Sequence, residues 1–125
     1  MPQNKKVEAA ANAVVSEKVE DSAKLTVNDL TFKVTPFTYD GKEYTEIDLR
    51  KIVDLTARQL ERVEDALGSE GRSTQTMWST IRGATLLAAA ANDMPFDWLD
   101  GMKARDVVAV RNAVFAFFIG LVSME

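Results

Sequence analysis

Four residues, Tyr39-Asp40-Gly41-Lys42, constrain the fold of this chain more than any others. Asp-Gly between two β-forming segments is the strongest short hairpin signal, because a type I′ turn needs positive φ at both central positions. Leu30, Phe32 and Val34 alternate before the turn, and Ile47 and Leu49 alternate after it, so each strand has one apolar face. Tyr44 falls out of phase with Ile47, which predicts a bulge or a frayed strand start. Pro36 has no N–H to donate to a ladder and belongs on an edge or at a bulge. A hairpin over about residues 30–50 follows.

After the hairpin the apolar period becomes helical. Thr56 is an N-cap whose capping-box partner is Gln59, and Leu60, Val63 and Leu67 form one stripe, predicting a helix over 56–67 that Gly68 stops as a C′ glycine. Gly68-Ser69-Glu70-Gly71-Arg72-Ser73 reads as a polar linker. Ser73 or Thr74 then caps a second helix over 74–91 that carries Met77, Trp78, Ile81, Ala84, Leu87, Ala88 and Ala91. Gly83 inside it costs about 1 kcal/mol against alanine, which predicts a close helix contact there. Asn92-Asp93-Met94-Pro95 ends that helix, with Asn92 in the left-handed cap conformation. A short helical turn over 96–100 plugs Phe96, Trp98 or Leu99 into the core. A last helix over 104–122 opens with Asp106 where a negative charge suits the dipole. The expected fold is α+β: a β-hairpin followed by a small bundle of three to four helices, one domain over 25–125. In residues 1–24, Val7, Ala11, Val14 or Val15, and Val19 make too thin a stripe to offset ordering entropy of roughly 1–2 kcal/mol per residue, so this segment reads as a flexible N-terminal arm.

Composition excludes much chemistry. Among 125 residues there is no Cys and no His, which removes thiolate nucleophiles, Ser-His and Cys-His pairs and the usual zinc ligand sets. The net charge is −4, with the acidic surplus in residues 1–71, the opposite of a nucleic-acid binder's balance. Lys103, Arg105 and Arg111 form the one moderately basic cluster, interrupted by Asp106, so a helical DNA-binding regulator is disfavoured. Lys5-Lys6 is followed by Val7-Glu8-Ala9-Ala10, not by a sustained apolar core, so no signal peptide is expected. The longest apolar run, Ala113 to Val122, is about half of what crosses a bilayer of ~30 Å, so no membrane association is expected and a cytoplasmic location is. Asp93, Asp97 and Asp100 lie close in sequence, yet their spacing matches no calcium loop, and they read as helix caps facing water. The GxxG spacing of Gly68 and Gly71 encloses Glu70 and lies in acidic surroundings, unlike a nucleic-acid clamp. No phosphate-cradling motif is present, and neither enzyme activity nor a cofactor is expected.

The informative feature is the last helix. Val107, Val110, Val114, Phe118 and Leu121 follow one stripe, and Val108, Phe115, Ile119 and Val122 follow a second, rotated one. One stripe can be buried against the domain, but the second needs another cover, either neighbouring segments wrapped around a central helix or another chain, since each large apolar side chain left in water forgoes roughly 1.5–3 kcal/mol. Phe115, Phe117, Phe118, Ile119, Leu121 and Val122 are therefore the candidate residues for self-association or partner binding.

Pro36-Phe37-Thr38-Tyr39-Asp40-Gly41-Lys42-Glu43-Tyr44-Thr45-Glu46-Ile47-Asp48-Leu49 resembles the N-terminal hairpin of the small tail assembly chaperones of tailed bacteriophages. Leu55-Thr56-Ala57-Arg58-Gln59-Leu60 resembles the following helix start, with Ala57 where that family commonly has glycine. Leu86 to Pro95 resembles the family's alanine-rich helix with its polar break and proline, and Trp98-Leu99, Lys103 to Asp106 and Asn112 to Phe118 resemble its final stretch. The resemblance covers about residues 30–122. It implies a non-enzymatic assembly factor that binds the long helical tape measure protein until tail tube subunits displace it; the apolar last helix adds the expectation of a homo-oligomer. In this family a longer product is often made by translational frameshifting, of which this chain would be the short form. The rival reading is a small structural subunit, a connector or decoration protein, using the same apolar helix as a permanent interface.

Overall fold

A computed structural model describes residues 25–123; the arm expected over 1–24 lies outside the described residues. The chain enters through a two-residue strand β1 (Leu25–Thr26) and a 3-10 turn, Val27–Leu30. The hairpin follows as β2 (Thr31–Tyr39) and β3 (Lys42–Asp48), antiparallel. Asp40 (φ 53°) and Gly41 (φ 79°) both take positive φ, as a type I′ turn requires. Phe32 pairs with Ile47 and Phe37 with Tyr44, and the register shifts between Lys33 and Phe37. The irregularity thus lies in β2, around Pro36, and it is what brings Tyr44 into phase with its partner. Leu30 is buried, but at the end of the 3-10 turn and not in the strand.

A second 3-10 turn, Arg50–Asp54, leads to α1 (Ala57–Ser69). Its capping box is formed as expected: the Thr56 hydroxyl accepts from the Gln59 N–H (3.2 Å), and Gln59 Oε1 accepts from the Thr56 N–H (2.9 Å). The helix runs past Gly68. Gly71, at φ 73°, is the C′ residue, with the Arg72 N–H donating to Leu67 O (2.9 Å) and the Gly71 N–H to Gly68 O (3.0 Å), a Schellman closure. The supposed linker over 68–71 is therefore the end of a helix.

The second helix is shorter than its pattern suggests: α2 is Ile81–Ala91, capped by the Thr80 hydroxyl, which accepts from the Gly83 N–H (3.1 Å). Ser73, Thr74, Thr76, Ser79 and Thr80 crowd the preceding segment, and their hydroxyls compete with the helical backbone. The Gln75 N–H donates to Ser73 Oγ, and Ser79 Oγ–H donates to Thr76 O. Gly83 does mark a close approach, but to these turns and not to another helix: a Cβ there would overlap the Met77 carbonyl. Asn92 is the C-cap with ordinary φ, and Asp93 (φ 58°) takes the left-handed position. The turn over 96–102 follows, with Trp98 and Leu99 buried and Phe96 half-buried. Then come α3 (Ala104–Phe118) and β4 (Val122–Ser123), which pairs parallel with β1.

Helix α2 is the centre of the domain. Ala84, Leu86, Leu87, Ala88 and Ala89 are fully buried, α1 and α3 pack against it, and the Arg50–Asp54 turn closes another side. Alanines along its length leave room for this close approach. Helix α3 lies outside it, burying Val110, Ala113, Val114 and Ala116. Asn92 joins the layers: its Nδ2–H₂ donates to Ala88 O and to Asp48 O at the end of the hairpin.

Candidate functional site

The last helix stops sooner than its apolar run. The Gly120 N–H donates to Phe117 O and the Leu121 N–H to Ala116 O (2.9 Å), so the chain leaves the helical path after Ile119. This closure separates the six candidate residues. Val122 lies in β4 and is 8% exposed, covered by its own domain. Leu121 and Phe117 are half-buried against the core. Phe118 stacks on Trp78 with ring centroids 5.5 Å apart and planes 17° from parallel, and Phe117 meets it edge-on at 5.0 Å. Phe115 and Ile119, one turn apart, remain 39% and 47% exposed. Ile81, which begins α2, is also exposed at 38%. Sequence periodicity placed Ile81 inside a longer helix; the signal that could have found it is the Thr80 cap.

The outward side of α3 carries Arg105, Val108, Asn112, Phe115 and Ile119. Its one carboxylate, Asp106, points the other way. It is buried and accepts from the Thr35 N–H at 2.8 Å, satisfying an amide that the β2 irregularity removes from the ladder. Beside this helix a cavity of about 270 Å³ is lined by Ile81, Arg82, Asp100, Met102 and Val107. Arg82 spans it electrostatically, with two bonds to Glu70 (3.0 and 2.7 Å) and one to Asp100 (3.2 Å). The Arg82 guanidinium, aided by Arg72, holds the Glu70 carboxyl below its ordinary range.

The carboxylates considered as metal ligands part company. Asp97 accepts from the Tyr39 hydroxyl (2.7 Å), Asp100 engages Arg82, and Asp93 forms the end of α2. Among the described residues no three acidic side chains converge as a metal site. Glu70, within the GxxG spacing, is committed to its two arginines. Among the described residues no helix is long and apolar enough to cross a membrane. What the surface offers is contact: two large apolar side chains on the outer face of a helix, with Arg111 one turn before them.

No curated protein and no solved structure matches the chain significantly. The family described as "Phage tail assembly chaperone proteins, E, or 41 or 14" matches residues 30–119, from the end of the first 3-10 turn to the C-cap of α3. That span takes in the hairpin, helices α1, α2 and α3 and the Phe115–Ile119 surface, and the chain belongs to the phage tail assembly chaperone family.

Proposed function

We propose that this tail assembly chaperone covers an apolar stripe of the long helical tape measure protein and helps bring tail tube subunits to it, without catalysing a reaction. The observation that carries the reading is the Phe115–Ile119 pair, left exposed at the end of a helix whose inner face, Val110, Ala113, Val114 and Ala116, is buried. A long amphipathic helix aggregates when its stripe is bare, and an apolar helix face on a chaperone can shelter it by helix-on-helix packing. The family supports a role in tail assembly. The work belongs in the cytoplasm of the infected host, and the chaperone leaves before the virion is complete.

Co-expression with the tape measure protein of the same phage tests this. The wild-type chain should co-purify with it, and the Phe115→Glu/Ile119→Glu double variant should fold but lose the client. A double variant that retains the client at wild-type yield overturns the assignment, as does a wild-type chain that captures none. Mass spectrometry of purified virions should find the protein absent; a stoichiometric amount would favour a structural subunit.

A further inference from the structure

The outer face of α3 is spaced as a heptad seam. Arg105, Val108, Asn112, Phe115 and Ile119 succeed one another by three and four residues, the alternation that keeps one face of a helix toward a helical partner. The seam is graded. Its C-terminal half is apolar through Phe115 and Ile119, and its N-terminal half is cationic through Arg105, with Arg111 beside Asn112. Among the described residues neither arginine forms an ion pair; the Arg111 guanidinium reaches only the Asn112 side chain, at 3.3–3.4 Å. No carboxylate of α3 shares this face, because Asp106 is turned inward to Thr35. A chain with net charge −4 thus keeps its α3 seam locally positive.

From this charge pattern we infer that the seam takes an amphipathic helix with apolar side chains at one end and glutamate or aspartate at the other. Packed antiparallel or parallel, such a helix sets its apolar knobs on Phe115 and Ile119 and its carboxylates on Arg105 and Arg111. A second copy of this chain suits the seam poorly. In parallel it opposes arginine to arginine, and in antiparallel register it lays Arg105 against Ile119. The inference rests on the client-binding reading and adds which kind of client helix is chosen.

Two labelled synthetic helices with the same apolar seam over one end test it, one carrying glutamate on that face of the other end and one carrying lysine there. Fluorescence anisotropy with the full chain should show the glutamate peptide binding roughly fivefold tighter, a preference that added salt erodes. Arg105→Glu/Arg111→Glu should reverse the preference, and Arg105→Gln/Arg111→Gln should abolish it while the circular dichroism spectrum stays unchanged. Equal binding of both peptides, a preference for lysine, or no binding of either overturns the inference, even where the tape measure protein still co-purifies. Loss of tape measure capture by the wild type overturns the functional reading instead, while the peptide preference still decides this one. A wild-type chain that is already a dimer broken by Phe115→Glu also overturns it, by naming a second copy as occupant.

Discussion

Asp106 illustrates how one side chain ties sequence-distant parts together. It sits in the first turn of α3, where its charge suits the helix dipole, and its Oδ2 accepts the Thr35 N–H across 71 positions of chain. Asp106→Ala leaves that half-buried amide without its partner and should cost about 1–3 kcal/mol, read by denaturant unfolding, with Asp106→Asn recovering part of the loss. Tyr39 is held by a different carboxylate. Its hydrogen bond to Asp97, with some desolvation and the nearby negative charge, pushes its pKa up to about 12. Phenolate absorbance should therefore show a late ionisation that Asp97→Ala moves back toward the ordinary tyrosine value. Neither Asp106–Thr35 nor Tyr39–Asp97 is legible in the sequence, because nothing local distinguishes a partnered aspartate from a solvated one.

At the scale of elements, helices α1, α2 and α3 end alike. Leu67, Ala89 and Ala116 each accept a hydrogen bond from the residue five positions on, and the left-handed residues at the first two closures are Gly71 and Asp93. The two glycines at the end of α1 make a paired test. Gly71 has φ 73°, so Gly71→Ala should destabilise by about 1 kcal/mol; Gly68 is helical with open space around it, so Gly68→Ala should stabilise by up to about 1 kcal/mol. Thermal unfolding of the two variants should shift in opposite directions, and equal shifts would contradict the observed helix end. The expectation that Gly68 stops the helix follows from the apolar stripe ending at Leu67; the two closure bonds, invisible to periodicity, carry it one turn further.

The whole molecule is organised around α2, and burial ranks the consequences of substitution. Leu86→Ala should cost about 2–5 kcal/mol, whereas Phe115→Ala, already 39% exposed, should cost under about 1 kcal/mol and act on client capture instead. Acid stability depends on carboxyls at two joints. Asp48 accepts from Arg50 and Thr31 at the foot of the hairpin, with Arg50 chief among the groups that hold its carboxyl well below the usual range. Glu70 is held below its ordinary range at the junction of α1 and α2. Both keep their charge more readily folded than unfolded. The stability they supply is complete above their unfolded pKa values, about 4, and drains away as pH falls through the lower folded ones. Urea midpoints measured stepwise from pH 6 downward should fall in this window, and less steeply in Asp48→Asn/Glu70→Gln than in the wild type.

The local chemistry of the chain determined the hairpin, its I′ turn, the Pro36 irregularity, the Thr56–Gln59 cap and the helical character of three later segments. Each depends on residues within a few positions of one another. It also located the apolar surplus of the last helix. Tertiary structure alone decided how that surplus is shared: Trp78 takes Phe118, the domain takes Val122, and Phe115 and Ile119 are left outside. It likewise decided that the alanine-rich helix is central and starts only at Ile81. Periodicity reports that a side chain needs cover; which neighbour supplies it depends on contacts between segments far apart in the chain, where no local rule reaches.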